Sequence, residues 1–281
     1  MKPSSAWSVD FAATRRLGAV LVFSLMASAV ALALPATPVA AASYDPAADM
    51  YSMYNTTAYT GAAAWWDAGY TGAGVDVALI DTGVSPVAGL DAPRKIVYGP
   101  DLSLESQAPN LTNLDTNGHG TFMAGLIAGQ DATLTAPYSS ASAYRGMAPD
   151  ARIVSLKVGV ADGGTDVSQV IAAIDWVVQH RHDNGLNIRV INLSYGTNSP
   201  QAYTVDPLAY AAEQAWKAGI VVVAAGGHLR FQRYGNTALG LADPAYDPYL
   251  VAVGASDSMG TATLADDEVA WFSPWPGMGA T

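Results

Sequence analysis

Two short stretches carry side chains whose type and setting suit catalysis. "VALIDTGVS", Val77 to Ser85, is an apolar β-run that breaks into Asp-Thr-Gly. "NGHGTFMAGLIAG", Asn117 to Gly129, sets a histidine between two glycines at the start of an apolar, Ala/Gly-rich helical pattern. An Asp-Thr-Gly after a strand has three readings. It is half of an aspartic dyad, or the acid that orients a histidine in a Ser-His-Asp triad, or a plain turn, since Asp and Gly satisfy turn geometry at little cost. A histidine at a helix start suits a general base: the positive helix end disfavours the imidazolium and keeps a ring nitrogen free. Gly118 and Gly120 allow other backbone to approach that ring closely. Taken singly, Asp81 and His119 read as ordinary structural residues. Taken together, an acid on a strand end followed by a base on a helix start is much harder to read as two plain structural residues.

The elements that must hold these groups repeat in a regular order. Apolar β-branched runs recur at 75–81, 151–158, 188–195, 220–225 and 249–255, and most are continuous rather than alternating. Such runs fit strands buried on both faces of a parallel sheet. Between them, "TDVSQVIAAIDWVVQH" places Val167, Val170, Ile171, Ile174, Val177 and Val178 on one helical face, with Thr165 or Asp166 as cap. "DPLAYAAEQAWKAG" opens on Asp206 as N-cap with Pro207 at the first helical position, and stops at Gly219. Strand, helix and strand in alternation predict an α/β fold: a doubly wound, mostly parallel sheet with helices on both faces. In such sheets functional groups gather at the carboxyl ends of the strands, where Asp81 stands. His180 and His182 are two residues apart at a helix end and share no face, so they read as solvated rather than as a metal pair.

Composition limits the setting. Of 281 residues, 51% are hydrophobic and 13% charged, enough to bury a sizeable core. Leu17 to Leu34 form an uncharged apolar run after Arg15 and Arg16, followed by the small residues of "PATPVAAAS". That is the pattern of an export signal over residues 1–42, cleaved near Ala42, with an uncleaved anchor as the alternative. The signal holds three basic residues and one acidic one, so its removal takes the formal net charge from −11 to −13. So acidic a chain repels nucleic-acid phosphates, and no nucleic-acid or further membrane partner is expected. With no cysteine, thiol catalysis and disulfides are excluded. Residues 43–61 read as an irregular N-terminal arm, and residues 62–281 as the catalytic-type domain.

From about Ala62 onward the chain resembles the subtilisin-like serine peptidases, the subtilases. "VALIDTGV" resembles the family's Asp motif and "NGHGT" its His motif. "GMAPDARIVSLKVG", "INLSYG", "GIVVVAAGG", "DPAYDPYLVAVGASDS" and "VAWFSPW" follow in family order. The aspartic dyad falls away, because only one Asp-Thr-Gly is present and Val84 follows it. The resemblance implies peptide-bond hydrolysis by a nucleophilic endopeptidase acting on polypeptides; with the export signal the chain is expected to be secreted, and it is expected to be a monomer. Asp81 would orient His119, and His119 would take the nucleophile's proton. Substrate backbone would lie as an added strand between Ser194-Tyr195-Gly196 and the region of Gly163 and Gly164. Family members often bind calcium, but no acidic loop here matches such a site, and no cofactor is expected. The interval after Ala42 is too short for an inhibitory pro-domain.

Two departures stand out. The family's nucleophilic serine lies in a Gly-Thr-Ser stretch opening a C-terminal helix, and no Gly-Thr-Ser occurs in these residues. The chain is therefore expected to lack the nucleophile helix and to be inactive as given, or else to be a non-catalytic, peptide-binding relative. Secondly, His228 stands where the family carries its oxyanion-hole Asn. A histidine N–H is a competent donor there, although bulkier than an amide.

Overall fold

The sheet has six parallel strands, five of them built from the continuous apolar runs. In the computed structural model, which describes residues 44–199, 201–228 and 240–274, these are β1 (Asp76–Asp81), β2 (Ile96–Asp101), β3 (Arg152–Lys157), β4 (Ile188–Leu193), β5 (Val221–Ala225) and β6 (Val251–Val253). They lie in the order β2-β3-β1-β4-β5-β6, so β1 is central. β1 pairs in parallel with β3, Asp81 opposite Lys157, and with β4 on its other side. Two short antiparallel strands, β7 (Ser256–Asp257) and β8 (Glu268–Val269), form a separate ribbon.

Alternate residues of β1 feed different layers. Ala78 and Ile80 join a cluster with Val170, Ile174 and Val177 of one helix and Leu208, Ala212 and Ala215 of another. Val77 and Leu79 face the opposite way, onto Ala124 and Ala128. Helices therefore cover both faces, and the fold is the doubly wound α/β arrangement that the strand pattern predicts.

Each helix carries the ends its sequence calls for. α1 (Met53–Tyr59) and α2 (Ala62–Asp67) precede the sheet; α3 is His119–Ala128, α4 Val167–His180 and α5 Pro207–Lys217. Asp166 caps α4 in a reciprocal box with Gln169. Asp206 caps α5, accepting from the amides of Leu208 and Ala209. His180 stacks on Trp176, and its Nδ1 lies 2.8 Å from the Trp176 carbonyl.

Two elements correct the sequence reading. The arm over 43–61 is not wholly irregular, because α1 forms within it. Ser52 Oγ accepts from Asn55 N, and the Asn55 amide donates to three carbonyls, those of Pro46, Ala47 and Asp49. Strand β2 has no counterpart among the predicted runs. Gly99 and Pro100 interrupt its apolar pattern, and it is tolerated because β2 is an edge strand.

Asp45–Thr281 make one compact unit; of the preceding unit only Tyr44 is described. The export segment 1–42 and its cleavage point therefore lie outside the described residues. No helix among the described residues is long and apolar enough to cross a membrane.

Candidate active site

Asp81 is the last residue of β1, with its side chain 3% exposed. The chain is held in place beyond it, since the Asp81 carbonyl accepts from the amides of Val158 and Gly159 past the end of β3. His119 opens α3, and its Nδ1 lies 2.7 Å from Asp81 Oδ1. The same oxygen accepts from Thr82 N at 2.8 Å. Burial pushes the Asp81 carboxyl above its ordinary value, against the opposing hydrogen bonds from His119 and Thr82. Its other oxygen, Oδ2, is buried without a hydrogen-bond partner.

So close an approach of strand end and helix start requires glycine at 120. A Cβ built there would lie 2.1 Å from the Gly83 carbonyl oxygen and 3.2 Å from Asp81 Oδ1. Both clashes are with fixed groups, one of them main chain. Gly120→Ala is therefore expected to cost on the order of 3 kcal/mol of unfolding free energy, a severe case of overpacking. Denaturant unfolding checks it, and a change within about 0.5 kcal/mol, the range of neutral surface substitutions, refutes the close-approach explanation.

Two residues that the motif reading passed over complete the corner. Asp115 accepts from Gly118 N at 2.7 Å, Thr121 N at 2.8 Å and Thr121 Oγ1 at 2.6 Å, binding the first turn of α3. It also accepts from Thr82 Oγ1 at 2.8 Å, while Gly120 N donates to that hydroxyl at 2.9 Å. Burial alone would push Asp115 up; hydrogen bonds from Thr121, Gly118 and Thr82 outweigh it and leave the carboxyl below its ordinary value. The loop bearing Asp115 is anchored by buried Lys157, whose Nζ meets Glu105 Oε2 at 2.6 Å and the Leu114 carbonyl at 2.7 Å. The sequence signal for Asp115 was an acid just before a helix start, the ordinary sign of a cap.

A cavity of about 320 Å³ opens beside this pair. His119, Asp81 and Asn117 line it together with Ser194, Tyr195, Asp162 and Gly163. Gly163, at φ +83°, belongs to a turn closed by its amide on the Val160 carbonyl and by Val160 N on the Gly164 carbonyl. Asn117 Nδ2 ties that turn to the start of α3 through the Ala161 carbonyl. Ser194 to Gly196 lie just past the end of β4. Gly196 packs so that a Cβ would meet Ala242 Cβ at 2.8 Å, and Thr197 exchanges main-chain hydrogen bonds with Asp243. The structure thus gathers Asp81, His119, Gly163, Ser194 and Tyr195 around one space, with Gly164 between the lining residues Gly163 and Thr165 and Gly196 one residue beyond Tyr195.

His228 stands apart from that lining. It is exposed, stacks on Phe272 with ring centroids 6.0 Å apart, and lines a neighbouring cavity of about 220 Å³ with Met123 and Asn192. Ser194 borders both spaces. Leu229, Arg230 and Phe231, next to His228 in sequence, lie outside the described residues. No group of three or more His, Asp or Glu able to hold a metal occurs among the described residues.

Comparison with known proteins identifies the family and agrees with the fold. The model of the subtilase family matches residues 72–273. The chain belongs to the subtilase family. It is 35% identical over 206 residues to serine protease AprX of Bacillus subtilis, covering 72% of this chain and 43% of that protein. It is 37% identical over 191 residues to subtilisin DY of Bacillus licheniformis, covering 68% and 59%. Among solved structures, a cold adapted subtilisin-like serine proteinase superposes with a TM-score of 0.52 at 28% identity, covering 73% of this chain and 61% of that one. The chain thus spans about half the length of the curated subtilases it matches.

Proposed function

We propose that this subtilase domain carries the acid, the base and the peptide cleft of an exported, monomeric serine endopeptidase. The observation that carries the reading is the 2.7 Å contact between Asp81 and His119, facing a cavity bordered by Ser194, Tyr195 and Gly163. Asp81 fixes the imidazole with Nδ1 as donor, which leaves Nε2 to accept a hydroxyl proton and return it to a leaving amine. A substrate main chain docks as an added strand beside residues 194–196 and 163–164, with side pockets setting preference. His228 is a weaker candidate for the oxyanion donor, since it lines the adjoining space. None of the chain's serines is assigned as nucleophile, because none stands in a Gly-Thr-Ser stretch. The export-signal pattern over 1–42 supports a site that works outside the cell.

The cleft is tested without turnover. Amide hydrogen exchange of the 281-residue chain is followed with and without a capped octapeptide of mixed side chains. Slower exchange centred on residues 163–164 and 194–196 is the expected result. Saturating peptide with no protection at either segment would remove the cleft assignment.

A further inference from the structure

The hydroxyl of Thr82 sits between two carboxylates and has one proton to give. Asp115 Oδ1 lies 2.8 Å from it and Asp81 Oδ1 lies 3.3 Å from it. One of its two lone pairs is already engaged by Gly120 N. Asp81 Oδ1 meanwhile receives both His119 Nδ1 and Thr82 N. A third donor at that oxygen would draw charge from it and weaken its hold on the imidazole, since donors to one lone-pair region compete.

We propose that Asp115 is a positioning residue for His119 that acts through Thr82: by taking the Thr82 hydroxyl proton, it leaves Asp81 Oδ1 to the histidine. The geometry supports a dedicated arrangement. Both Asp115 oxygens are in use, Oδ1 on Thr82 and the amides of Asn117 and Gly118, Oδ2 on the amide and hydroxyl of Thr121. One carboxylate therefore fixes the strand-end hydroxyl and the first turn that carries His119. An Asn at 115 has one acceptor oxygen instead of two, so it cannot satisfy both sets. When the Thr82 contact is lost, the hydroxyl rotates to Asp81 Oδ1 and enters competition with His119.

This rests on the reading of Asp81 and His119 as a working pair, and it is tested on the chain as it exists. The readout is the His119 Nδ1 proton resonance, which a short bond to a carboxylate moves far downfield. Asp115→Asn is expected to shift it upfield. In a Thr82→Val background, where no hydroxyl remains to be redirected, Asp115→Asn is expected to cause no further shift. Thr82→Ser, which keeps the hydroxyl, should retain the parent resonance. Each variant is read at a temperature where its amide spectrum is dispersed, so loss of fold is separated from loss of the contact. Equal shifts on Asp115→Asn in the parent chain and in the Thr82→Val background would mean that Asp115 acts only by capping α3, and would overturn the proposal. No shift in either background, or loss of the signal in Thr82→Ser, overturns it as well. Absence of a downfield resonance in the parent chain would sink the Asp81–His119 pairing itself and this proposal with it.

Discussion

Treated with a serine-directed phosphonate and then offered unstructured peptides, the 281-residue chain will show neither stoichiometric labelling nor turnover above background. The Asp81–His119 contact is in place, but a base accelerates acyl transfer only when a nucleophile stands within its reach. No Gly-Thr-Ser stretch is present to supply one. Ser256 lies in the β7–β8 ribbon with its hydroxyl toward the Glu268 carbonyl, and it does not line the His119 cavity. For subtilisin, a member of the same family, loss of the serine costs on the order of 10⁶ in kcat, a value measured on that relative. A second expected result comes from the sheet. Val222 of β5 enters the core with α4 and α5, so Val221 and Val223 face the α3 side. Val251 and Val253 pair in register with Val223 and Ala225 and share that face, yet Val221, Val251 and Val253 are 41%, 42% and 47% exposed. Full burial of such a side chain contributes about 1.5–3 kcal/mol; with a little under half of each still exposed, the three together forgo roughly 2–4 kcal/mol, a large part of a domain's net stability of about 5–15 kcal/mol. A low melting temperature and strong binding of an apolar dye are expected together with the absence of turnover. Labelling with robust turnover would mean that an unrecognised serine works, and Ser194, on the border of the His119 cavity, would be the first to replace. A cooperative, high-temperature melt without labelling would favour the stable peptide-binding relative.

What was legible in the sequence follows from how local each signal is. Strands buried on both faces read as continuous β-branched runs, so five of the six sheet strands were visible. The sixth, β2, carries Gly99 and Pro100 in its middle, and only its pairing with β3 makes it a strand. Helices α4 and α5 were legible through Asp166, Asp206 and Pro207 at their starts. α1 was not, because its order comes from Asn55 reaching back to a preceding turn rather than from an apolar stripe. At the site, Asp81 and His119 stood out by residue type and flanking glycines. Thr82 and Asp115 did not, since their part depends on one hydroxyl lying between two carboxylates that are far apart in sequence, a contact made only by folding.

Raising the pH from 5 to 8 will lower the stability of the fold, and Asp243→Asn will remove most of that loss. Asp243 is 2% exposed, accepts from Thr197 Oγ1 at 3.1 Å and lies against the carboxyl of Asp206. Asp206 caps α5, accepting from Leu208 N, Ala209 N and Ser199 Oγ. Burial first, and the Asp206 charge second, push Asp243 up to about 7 from an ordinary 3.8. The folded chain then holds this proton more tightly than the unfolded one. The stabilisation is complete below about pH 4, and it is lost as the pH rises through about 7. Its size is up to about 4 kcal/mol, from about 1.4 kcal/mol for each tenfold change in proton affinity. Other groups do not reverse the trend. Asp81 and Asp247 are raised as well, chiefly by burial, and act in the same direction. The lowered carboxyls of Asp115, Asp166 and Glu105 exert their effect at the acidic end, below about pH 5. Tyr195 and Tyr246, which face the pair, are pushed upward by burial and stay neutral across this range. An Asn at 243 keeps an acceptor for Thr197 and offers an N–H to the Asp206 carboxylate, so it imitates the protonated acid at every pH. The consequence reaches the cleft: Thr197 and Asp243 exchange main-chain hydrogen bonds, and Gly196 packs on Ala242. Loosening this loop above pH 7 therefore loosens the edge formed by residues 194–196. Urea unfolding midpoints for both proteins at pH 5, 6, 7 and 8 decide the matter. A flat profile for the parent chain, or an equal fall in the Asn variant, would show that Asp243 does not hold the proton that its burial demands.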